Sequence, residues 1–554
     1  MNGHRGRYLQ VAEVLSRHGL GFLVGVAGLE RWVPFHRGLL SHERRDLPYT
    51  KPEHVRLALE QLGPVFVKLG QVLSTRPDLL PEGYQLELAR LQDDTPPVPG
   101  DVIRDLVRKE LRCEPEEAFA FFDRVPLASA SIGQAHAARL LDGTEVVVKV
   151  RRPGVVEQVN EDLEILGDLA ARAGRRWEAA ADYDLVGLVQ EFAATLLGEL
   201  DYLQEGRNVE RIAENFAGDP EVHIPRVFWK TTTSAILTLE RIHGVKVSDA
   251  AGLQEADIDR RLLARRATQI ACKMIFEDGF FHADPHPGNL FIEPGGRIGL
   301  IDFGMVGEVD DRLRRQLADL LLALTRSDPN RLTSAVLDMA VARGEVDRLS
   351  LRRDLAAVLE RYSGHPIGEI PVGPLISEVT VALRRERLQL SRDLALLLKM
   401  LVMTEGMGVM LDPEFRLGAV LAPYAEQLVA ERFSPGATAH RLKQTGMDLA
   451  ELGLEIPEQL RRVLALLERG GFDVHLRADE LAPLVTRAER AANRMVVGLV
   501  AAALIEGVAE LVAADPQRPV SWRRPFLLAS LGGAGSLSAY LAWTARTGPT
   551  RSRR

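Results

Sequence analysis

Cysteine is almost absent from this sequence of 554 residues, which contains two, Cys113 and Cys272. Two cysteines so far apart exclude a disulfide framework and a cysteine-based zinc site of the usual ligand spacing. A reducing environment such as the cytosol is therefore expected for the folded part of the chain.

The sequence also lacks a strong excess of charge, since its formal net charge is −8. This balance gives no electrostatic reason to expect a nucleic-acid partner. Internal repeats and low-complexity tracts are absent from the sequence as well, which argues against a repeat architecture. A hydrophobic content of 46% with 26% charged residues instead indicates a folded, mostly globular chain. Its length of 554 residues predicts more than one domain-sized unit.

Periodicity divides the chain into regions of different structure. Helical apolar spacing covers 51–90 and ends in a Pro-rich loop, DDTPPVPGD. Farther on, β-rich segments flank Asp142-Gly143, a dipeptide typical of hairpins, and 235–239 is predicted as another strand. Long helical stretches are predicted at 155–171 and 185–216. From about residue 262 the pattern is mainly helical, so we expect a small α+β lobe followed by a helical lobe.

Apolar runs lie near both ends of the sequence. The run at 19–29 is too short to cross a bilayer and predicts a buried or membrane-surface helix. The runs at 495–514 and 525–543 are each long enough to span about 30 Å of hydrocarbon at about 1.5 Å per residue. Glu506 and Glu510 would have to face a partner helix. We expect a two-helix membrane hairpin here, the alternative being an ordinary buried helical pair.

The chemistry is concentrated in FHADPHPGN, at 281–289, and LIDFG, at 300–304. Phosphoryl transfer from ATP needs magnesium held against the phosphates and an acceptor oriented in line. In a kinase-type site one Asp orients the acceptor, an Asn five residues later binds magnesium, and the Asp of Asp-Phe-Gly binds magnesium as well. Asp284, Asn289 and Asp302 have this order and spacing, with two short strands predicted between them.

Two simpler interpretations compete for the first of these segments. His282, Asp284 and His286 taken alone would also fit a metal cluster, or a polar turn closed by prolines. Neither alternative requires the Asp-Phe-Gly that follows, and this second segment favours the kinase-type site.

A kinase-type site also needs a cation on the ATP phosphates. Lys149 ends the predicted strand EVVVKV and resembles the strand lysine of kinases, although an edge lysine on a solvated strand is the commoner case. Its predicted carboxylate partner is Glu205, with Glu199 as the second choice. The position of the Gly-rich phosphate loop of ordinary kinases is occupied instead by an Ala/Ser loop. The residues of this loop are Ala128, Ser129, Ala130 and Ser131.

Together these motifs resemble the UbiB/AarF-type family of atypical kinase-like proteins, over about 51–412. KLGQ at 68–71 matches the family's Lys-x-Gly-Gln signature, and LASASIGQAH matches its Ala-rich loop, with Ser129 in place of the usual second alanine. ELD at 199–201 matches its Glu-x-Asp motif. The segment LLLKMLVMTEGMGVMLDPEF, at 396–415, resembles the family's helical segment in the large lobe.

The resemblance implies an α+β, atypical protein-kinase-like bilobal fold. An N-terminal helical extension would place Lys68 over the ATP cleft, where Lys68 would interact with Glu199 and Asp201. ATP and Mg²⁺ are the implied cofactors, and Glu240 begins the segment expected to meet adenine through backbone groups. The C-terminal runs match the transmembrane helical hairpin of many bacterial members.

The implied function is that of a membrane-associated atypical kinase or ATPase that supports isoprenoid quinone or other prenyl-lipid biosynthesis or transport. Prenyl lipids and quinone-biosynthesis proteins are the expected partners, a homodimer is left open, and no nucleic acid is expected. The expected location is the cell inner membrane, with the kinase-like domain in the cytoplasm. A small-molecule phosphotransferase and a nucleotide-binding pseudokinase scaffold remain alternatives.

The predicted domain division follows from these motifs. It comprises a helical leader at 1–48, a helical extension at 49–125, a small lobe at 126–240, a large lobe at 241–425, a helical linker at 426–490 and the membrane hairpin at 491–554.

Overall fold

The structure is a computed structural model that describes residues 2–18, 20, 50–91, 95–176, 183–342 and 346–432. The predicted membrane hairpin, most of the linker before it and almost all of the apolar run at 19–29 lie outside these residues. The first unit of the chain, which ends at Arg432, contains every described residue.

Helices dominate both ends of the described chain. Those before and within the first lobe are α1 (Asn2–Arg17), α2 (Lys51–Leu62), α3 (Pro64–Ser74), α4 (Glu82–Leu88), α5 (Gly100–Leu111), α6 (Pro115–Ala118), α7 (Val155–Arg176), α8 (Leu185–Glu199) and α9 (Tyr202–Asn215). Those of the second lobe are α10 (Ala250–Glu255), α11 (Arg260–Cys272), α12 (Asp311–Thr325), α13 (Pro329–Met339), α14 (Arg348–Tyr362), α15 (Val372–Arg385), α16 (Arg392–Leu411) and α17 (Leu417–Arg432).

The strands of the small lobe form an antiparallel four-stranded sheet in the order β1-β2-β3-β5. Its members are β1 (Phe119–Ser129), β2 (Gly133–Leu140), β3 (Glu145–Arg151) and β5 (Ile236–Glu240). The hairpin predicted at Asp142-Gly143 joins β2 to β3, and Gly143 has a φ of 90°, a conformation that suits glycine. The sheet begins at Phe119, earlier than the predicted boundary at 126.

The large lobe adds short strands around the two predicted motifs at 281–289 and 300–304. The other four-stranded sheet of the described residues lies here and has the strand order β4-β9-β8-β6. The strands are β4 (Val222–His223), β6 (Val245–Lys246), β7 (Phe280–His282), β8 (Leu290–Ile292), β9 (Ile298–Leu300), β10 (Val306–Glu308), β11 (Ala340–Val341) and β12 (Gln389–Leu390). The hairpin of β8 and β9 and the pairing of β7 with β10 bring the two predicted motifs together.

The helical stretch predicted at 185–216 is wrong in one respect, because it is two helices. The break falls at Leu200 and Asp201, and the Asp201 carboxylate accepts a hydrogen bond from the Leu203 amide as the N-cap of α9. An aspartate cap satisfies an amide that the first turn of a helix leaves unpaired. This cap turns the chain so that α9 can face β3 and β5.

The packing of α7 and α8 also differs from the predicted domain division. Their buried residues, including Val159, Ile165, Phe192 and Leu196, form one core with α1, α2 and α3. Residues 155–199 therefore belong structurally with the helical extension, although they were assigned to the small lobe. Two amphipathic helices need an apolar partner surface, and the extension supplies it.

Hydrogen bonds from one buried ion pair fix the helical extension against the large lobe. The Arg76 guanidinium donates to both Asp78 carboxylate oxygens, at 2.9 and 2.7 Å, and to the Leu390 carbonyl at 3.2 Å. The Leu390 amide donates to the same carboxylate at 3.0 Å. Asp78 is fully buried, so this contact has a defined geometry and joins the end of α3 to β12.

One helix of the described residues, α16, is long and apolar enough to cross a membrane by these two criteria. Its buried residues, among them Leu397, Met400 and Met407, belong to the main core of the large lobe. Burial in that core accounts for its apolar composition.

Candidate active site

Lys149, Glu205 and Asp302 meet between the two lobes. The Lys149 ammonium, on β3, lies 2.5 Å from Glu205 Oε1, on α9, and 3.1 Å from Asp302 Oδ1. Glu205 Oε1 also accepts a hydrogen bond from the Phe303 amide at 3.2 Å. The structure therefore gives Lys149 the predicted partner, Glu205, and adds the Asp-Phe-Gly aspartate as a second one.

The charges of this network stabilise one another. Burial opposes the charge of Lys149, but Asp302 and Glu205 together raise its pKa above the ordinary lysine value. Lys149 in turn lowers the pKa of Asp302 to about 2. Burial raises the pKa of Glu205, against the opposite effect of Lys149. At neutral pH the site thus presents a charged lysine and an ionised Asp302 whose side chain is half exposed to the cleft.

Asp302 has a left-handed backbone, with a φ of 65°. This conformation is uncommon for a residue with a Cβ atom and costs on the order of 1–3 kcal/mol, so it persists only where the surrounding structure holds it. The next residue, Phe303, is fully buried, and its carbonyl accepts a hydrogen bond of 3.0 Å from Asn208. Asn208 lies one turn after Glu205 on α9, so one helix binds both the amide and the carbonyl of the residue that follows Asp302.

His282 organises the segment after β7 that contains Asp284 and Asn289. This buried imidazole accepts a hydrogen bond from the Asp284 amide at Nδ1, 3.0 Å, and Nε2 lies 3.2 Å from the Ile301 carbonyl. Burial lowers the pKa of His282, which favours the neutral ring with its proton on Nε2. The Asn289 side-chain amide donates to the Asp284 carbonyl at 3.2 Å. His282 therefore positions the loop, and the interpretation of it as a metal ligand has no support from this arrangement.

Lys399 is a site residue that sequence reasoning missed. Its ammonium, carried by α16, lies 2.9 Å from Asp284 Oδ1, and its side chain is 12% exposed. The signal was present in the sequence, since Lys399 is a lone lysine within the apolar segment at 396–415. The pairing could not be predicted from the sequence, because Lys399 and Asp284 are 115 residues apart along the chain.

The Lys-x-Gly-Gln and Glu-x-Asp motifs meet only partly as expected. Lys68, on α3, lies 3.2 Å from Glu199 at the end of α8. Asp201 has a different task, because one of its oxygens caps α9 and the other lies 3.8 Å from Arg207. Helix capping thus explains the second acidic residue of the motif.

Arg152 fixes the Ala/Ser loop, and sequence reasoning missed this role of Arg152. Its guanidinium donates to the Ala130 carbonyl and the Ser129 hydroxyl, both at 2.7 Å, and to the Pro96 carbonyl at 2.9 Å. Ala128 and Ser129 end β1, and the Ala130 amide closes the turn on the Gly133 carbonyl. The loop is therefore tied to the Pro-rich segment before α5.

Glu240 lies at the end of β5, where a kinase would contact adenine. Its carboxylate accepts a hydrogen bond of 3.2 Å from the Arg226 amide. The side chain is thus used within the protein, and contact of adenine with backbone groups here stays a prediction.

The acidic end of the site suits a magnesium ion bound together with phosphates. The Asn289 amide nitrogen is engaged by Asp284, which leaves its oxygen as the available ligand, and Asp302 is an ionised, accessible carboxylate. Within the described ranges, no group of three or more His, Cys, Asp or Glu residues is arranged to hold a metal. Magnesium is commonly held by one or two protein oxygens, with phosphates and water completing its shell.

A large cavity of about 1310 Å³ connects this site to an apolar chamber. Its polar end is lined by Lys68, Glu199, Asp284, Asn289, Asp302 and Lys399. Its other walls are apolar side chains of α2, α3, α7 and α8, such as Leu59, Phe66, Leu69, Leu169, Leu188 and Phe192. The chamber exists because residues 155–199 pack onto the extension.

The fold and these contacts define an atypical kinase-like protein, in which a lysine-bearing helical extension covers the cleft. Comparison with known proteins agrees, since residues 90–336 match the ABC1 atypical kinase-like domain and residues 355–416 match the UbiB helical domain.

Known relatives extend the match to nearly the whole chain. "Probable protein kinase UbiB" of Xylella fastidiosa (strain 9a5c) is 32% identical over 549 residues, 97% of this chain and 99% of that protein. Its namesake from Xanthomonas euvesicatoria pv. vesicatoria (strain 85-10) is 32% identical over 555 residues, with 98% and 99% coverage. The chain belongs to the UbiB family, which confirms the resemblance and the kinase-like α+β fold.

Among solved structures, the complex of Rv3197 with erythromycin from Mycobacterium tuberculosis is 25% identical to this chain. The match has a TM-score of 0.45 and covers 66% of this chain and 92% of that one.

The buried neutral His282 predicts a pH dependence of stability. Its pKa is lowered in the folded state, so below the ordinary histidine pKa of about 6.5 the unfolded chain takes up the proton first. The contribution of His282 is fully present above that pH and is lost as the pH falls toward the folded-state pKa. We expect thermal unfolding midpoints of the wild type to fall more steeply from pH 7 to 5 than those of His282→Gln. His365→Gln, at an exposed position, is the control, and parallel curves for wild type and His282→Gln would disprove this role.

Proposed function

We propose that this protein is a membrane-associated atypical kinase or ATPase that binds Mg-ATP and supports ubiquinone-type or other prenyl-lipid biosynthesis or transport. The observation that carries the proposal is one continuous cavity that is lined by Asp284, Asn289 and Asp302 at one end and by the apolar chamber at the other. A lipid intermediate with a polar head and a long hydrocarbon chain has the matching chemistry. The name of the relatives and the family, UbiB, supports a link to ubiquinone biosynthesis.

In the proposed site each residue has a distinct role. Asp302 and Asn289 would hold the magnesium ion, which screens the phosphate charge when it is bound. Lys149, positioned by Glu205, would contact the phosphates, with the Ala/Ser loop covering them. Asp284 would orient the acceptor and receive its proton. Lys68 and Glu199 would border the phosphates from the helical extension.

We further propose that the C-terminal runs at 495–514 and 525–543 form the membrane hairpin, in the cell inner membrane. The kinase-like domain would then face the cytoplasm, where ATP is available. Their length and the small residues Gly532, Gly533 and Gly535 support helices packed closely in a bilayer. Quinone-biosynthesis proteins are the proposed protein partners, and a homodimer is compatible with this arrangement.

Nucleotide hydrolysis by the purified full chain tests the role of Asp302. We expect magnesium-dependent phosphate release from ATP, reduced at least about 100-fold in Asp302→Asn because a magnesium-binding charge is lost. Asp105→Asn, which alters an exposed carboxylate on α5, is the matched control. Equal rates for wild type and Asp302→Asn would rule out the assigned role.

A substitution that fills part of the apolar chamber tests its role in lipid binding. Ala173 lines the cavity from α7, and Ala173→Trp would fill part of it. We expect anionic liposomes containing a polyprenyl phenol to raise ATP hydrolysis by the wild type more than plain liposomes do. The ratio of the hydrolysis rate with polyprenyl phenol liposomes to the rate with plain liposomes should approach one in Ala173→Trp. It should remain at the wild-type value in Ala251→Trp, at an exposed position on α10. A ratio unchanged by Ala173→Trp would remove the chamber from the lipid-binding role.

A further inference from the structure

The contact between Lys399 and Asp284 places a cation on the residue that orients the acceptor. The Nζ–Oδ1 distance is 2.9 Å, and the exposed fractions are 12% for the lysine side chain and 34% for the aspartate. Both residues line the cavity. An ammonium has three N–H donors, of which this contact uses one, so Lys399 retains donors for a second anionic group.

Packing alone does not account for a lysine at this position. The buried residues Leu394, Leu397, Met400 and Met407 already fix α16 in the main core. A partly buried ion pair adds little net stability, because removing both charges from water offsets most of their attraction. An apolar residue at 399 would serve packing as well, so the charge calls for a chemical explanation.

The catalytic loop itself offers no lysine or arginine. The kinase pattern His-Arg-Asp has an arginine before the aspartate, whereas Ala283 occupies that position here, and Pro285, His286, Pro287 and Gly288 follow. Among the described residues, Lys149 and Lys68 also lie at the cleft, but their carboxylate partners are residues other than Asp284. Lys149 lies against Glu205 and Asp302, and Lys68 lies against Glu199. Lys399 is therefore the lysine placed on the acceptor side, beside Asp284.

We infer that Lys399 bridges Asp284 and the transferring phosphoryl group, so that the UbiB helical domain completes the active site. This inference rests on the proposed function. In the reaction, the acceptor oxygen of water or an alcohol forms a bond to the γ-phosphorus of a nucleoside triphosphate. The bond from that phosphorus to the bridging oxygen breaks, its electron pair leaves on the diphosphate, and the acceptor proton passes to Asp284. Lys399 keeps its proton and stabilises the charge on the phosphoryl oxygens.

The test uses the full chain with Lys399→Met, and Lys109→Met, at an exposed position on α5, as the matched control. We expect kcat for ATP hydrolysis to fall about 100- to 1000-fold, the range for loss of one charged donor to a transition state. The affinity for Mg-ADP should stay within about twofold, since ADP lacks the transferring group. The affinity for Mg-ADP with aluminium fluoride, which mimics that group, should fall at least about tenfold. Lys399→Arg, which keeps the charge, should recover part of this affinity.

Different outcomes separate this inference from the proposed function. A wild-type chain that neither binds nor hydrolyses nucleotide would refute the proposed function itself. If the wild type is active and Lys399→Met keeps wild-type affinity for the aluminium fluoride complex, Lys399 does not contact the phosphoryl group. An equal loss of affinity for both ADP complexes would show that Lys399 acts only through the structure of the site, which also overturns the inference.

Discussion

The ion pairs of Lys149 with Glu205 and Asp302 are the constraint on which the active site depends. They join β3, α9 and the segment after β9, which are far apart in the sequence. Asp302 keeps its left-handed backbone because Lys149 holds its carboxylate while Glu205 and Asn208 bind the backbone of Phe303. The interactions are mutually dependent, since the charge of each residue is stabilised by its neighbours. The pairing of β7 with β10 then places the segment that contains Asp284 and Asn289 beside Asp302.

The helical extension depends on close packing as well as on charge. Gly70, the glycine of the Lys-x-Gly-Gln motif, lies so near Leu59 and Leu91 that a Cβ atom would lie 2.8 Å and 2.3 Å from their methyl groups. Glycine at this position lets α3 pack closely on the extension, and the contact of Arg76 and Asp78 with β12 sets its position on the large lobe. This packing places Lys68 at the cleft and leaves the apolar chamber behind it. The packing of α3 thus accounts for two features that ordinary kinases lack, the lysine of the extension at the cleft and the apolar chamber.

Much of the site could be predicted because its motifs are local. The five-residue spacing of Asp284 and Asn289, the Asp-Phe-Gly and the Asp142-Gly143 hairpin are each encoded within a few residues. The partner of Lys149 was harder to predict, because the sequence offers both Glu205 and Glu199, and the tertiary structure brings Glu205 to the lysine. The packing of 155–199 and the contacts of Lys399 and Arg152 depend on tertiary structure that periodicity does not encode. Asp201 was missed as a helix cap because a motif was available to explain it.

The central claim is that Lys149, Asn289 and Asp302 form a magnesium-dependent nucleotide site. The most direct measurement is calorimetric titration of the purified chain with ATP, with and without Mg²⁺, for wild type and Lys149→Met. The account predicts that Mg²⁺ increases the affinity of the wild type at least about tenfold, and that Lys149→Met loses most of the binding of Mg-ATP. Wild-type affinity that is the same with and without Mg²⁺, or unaffected by Lys149→Met, would contradict it.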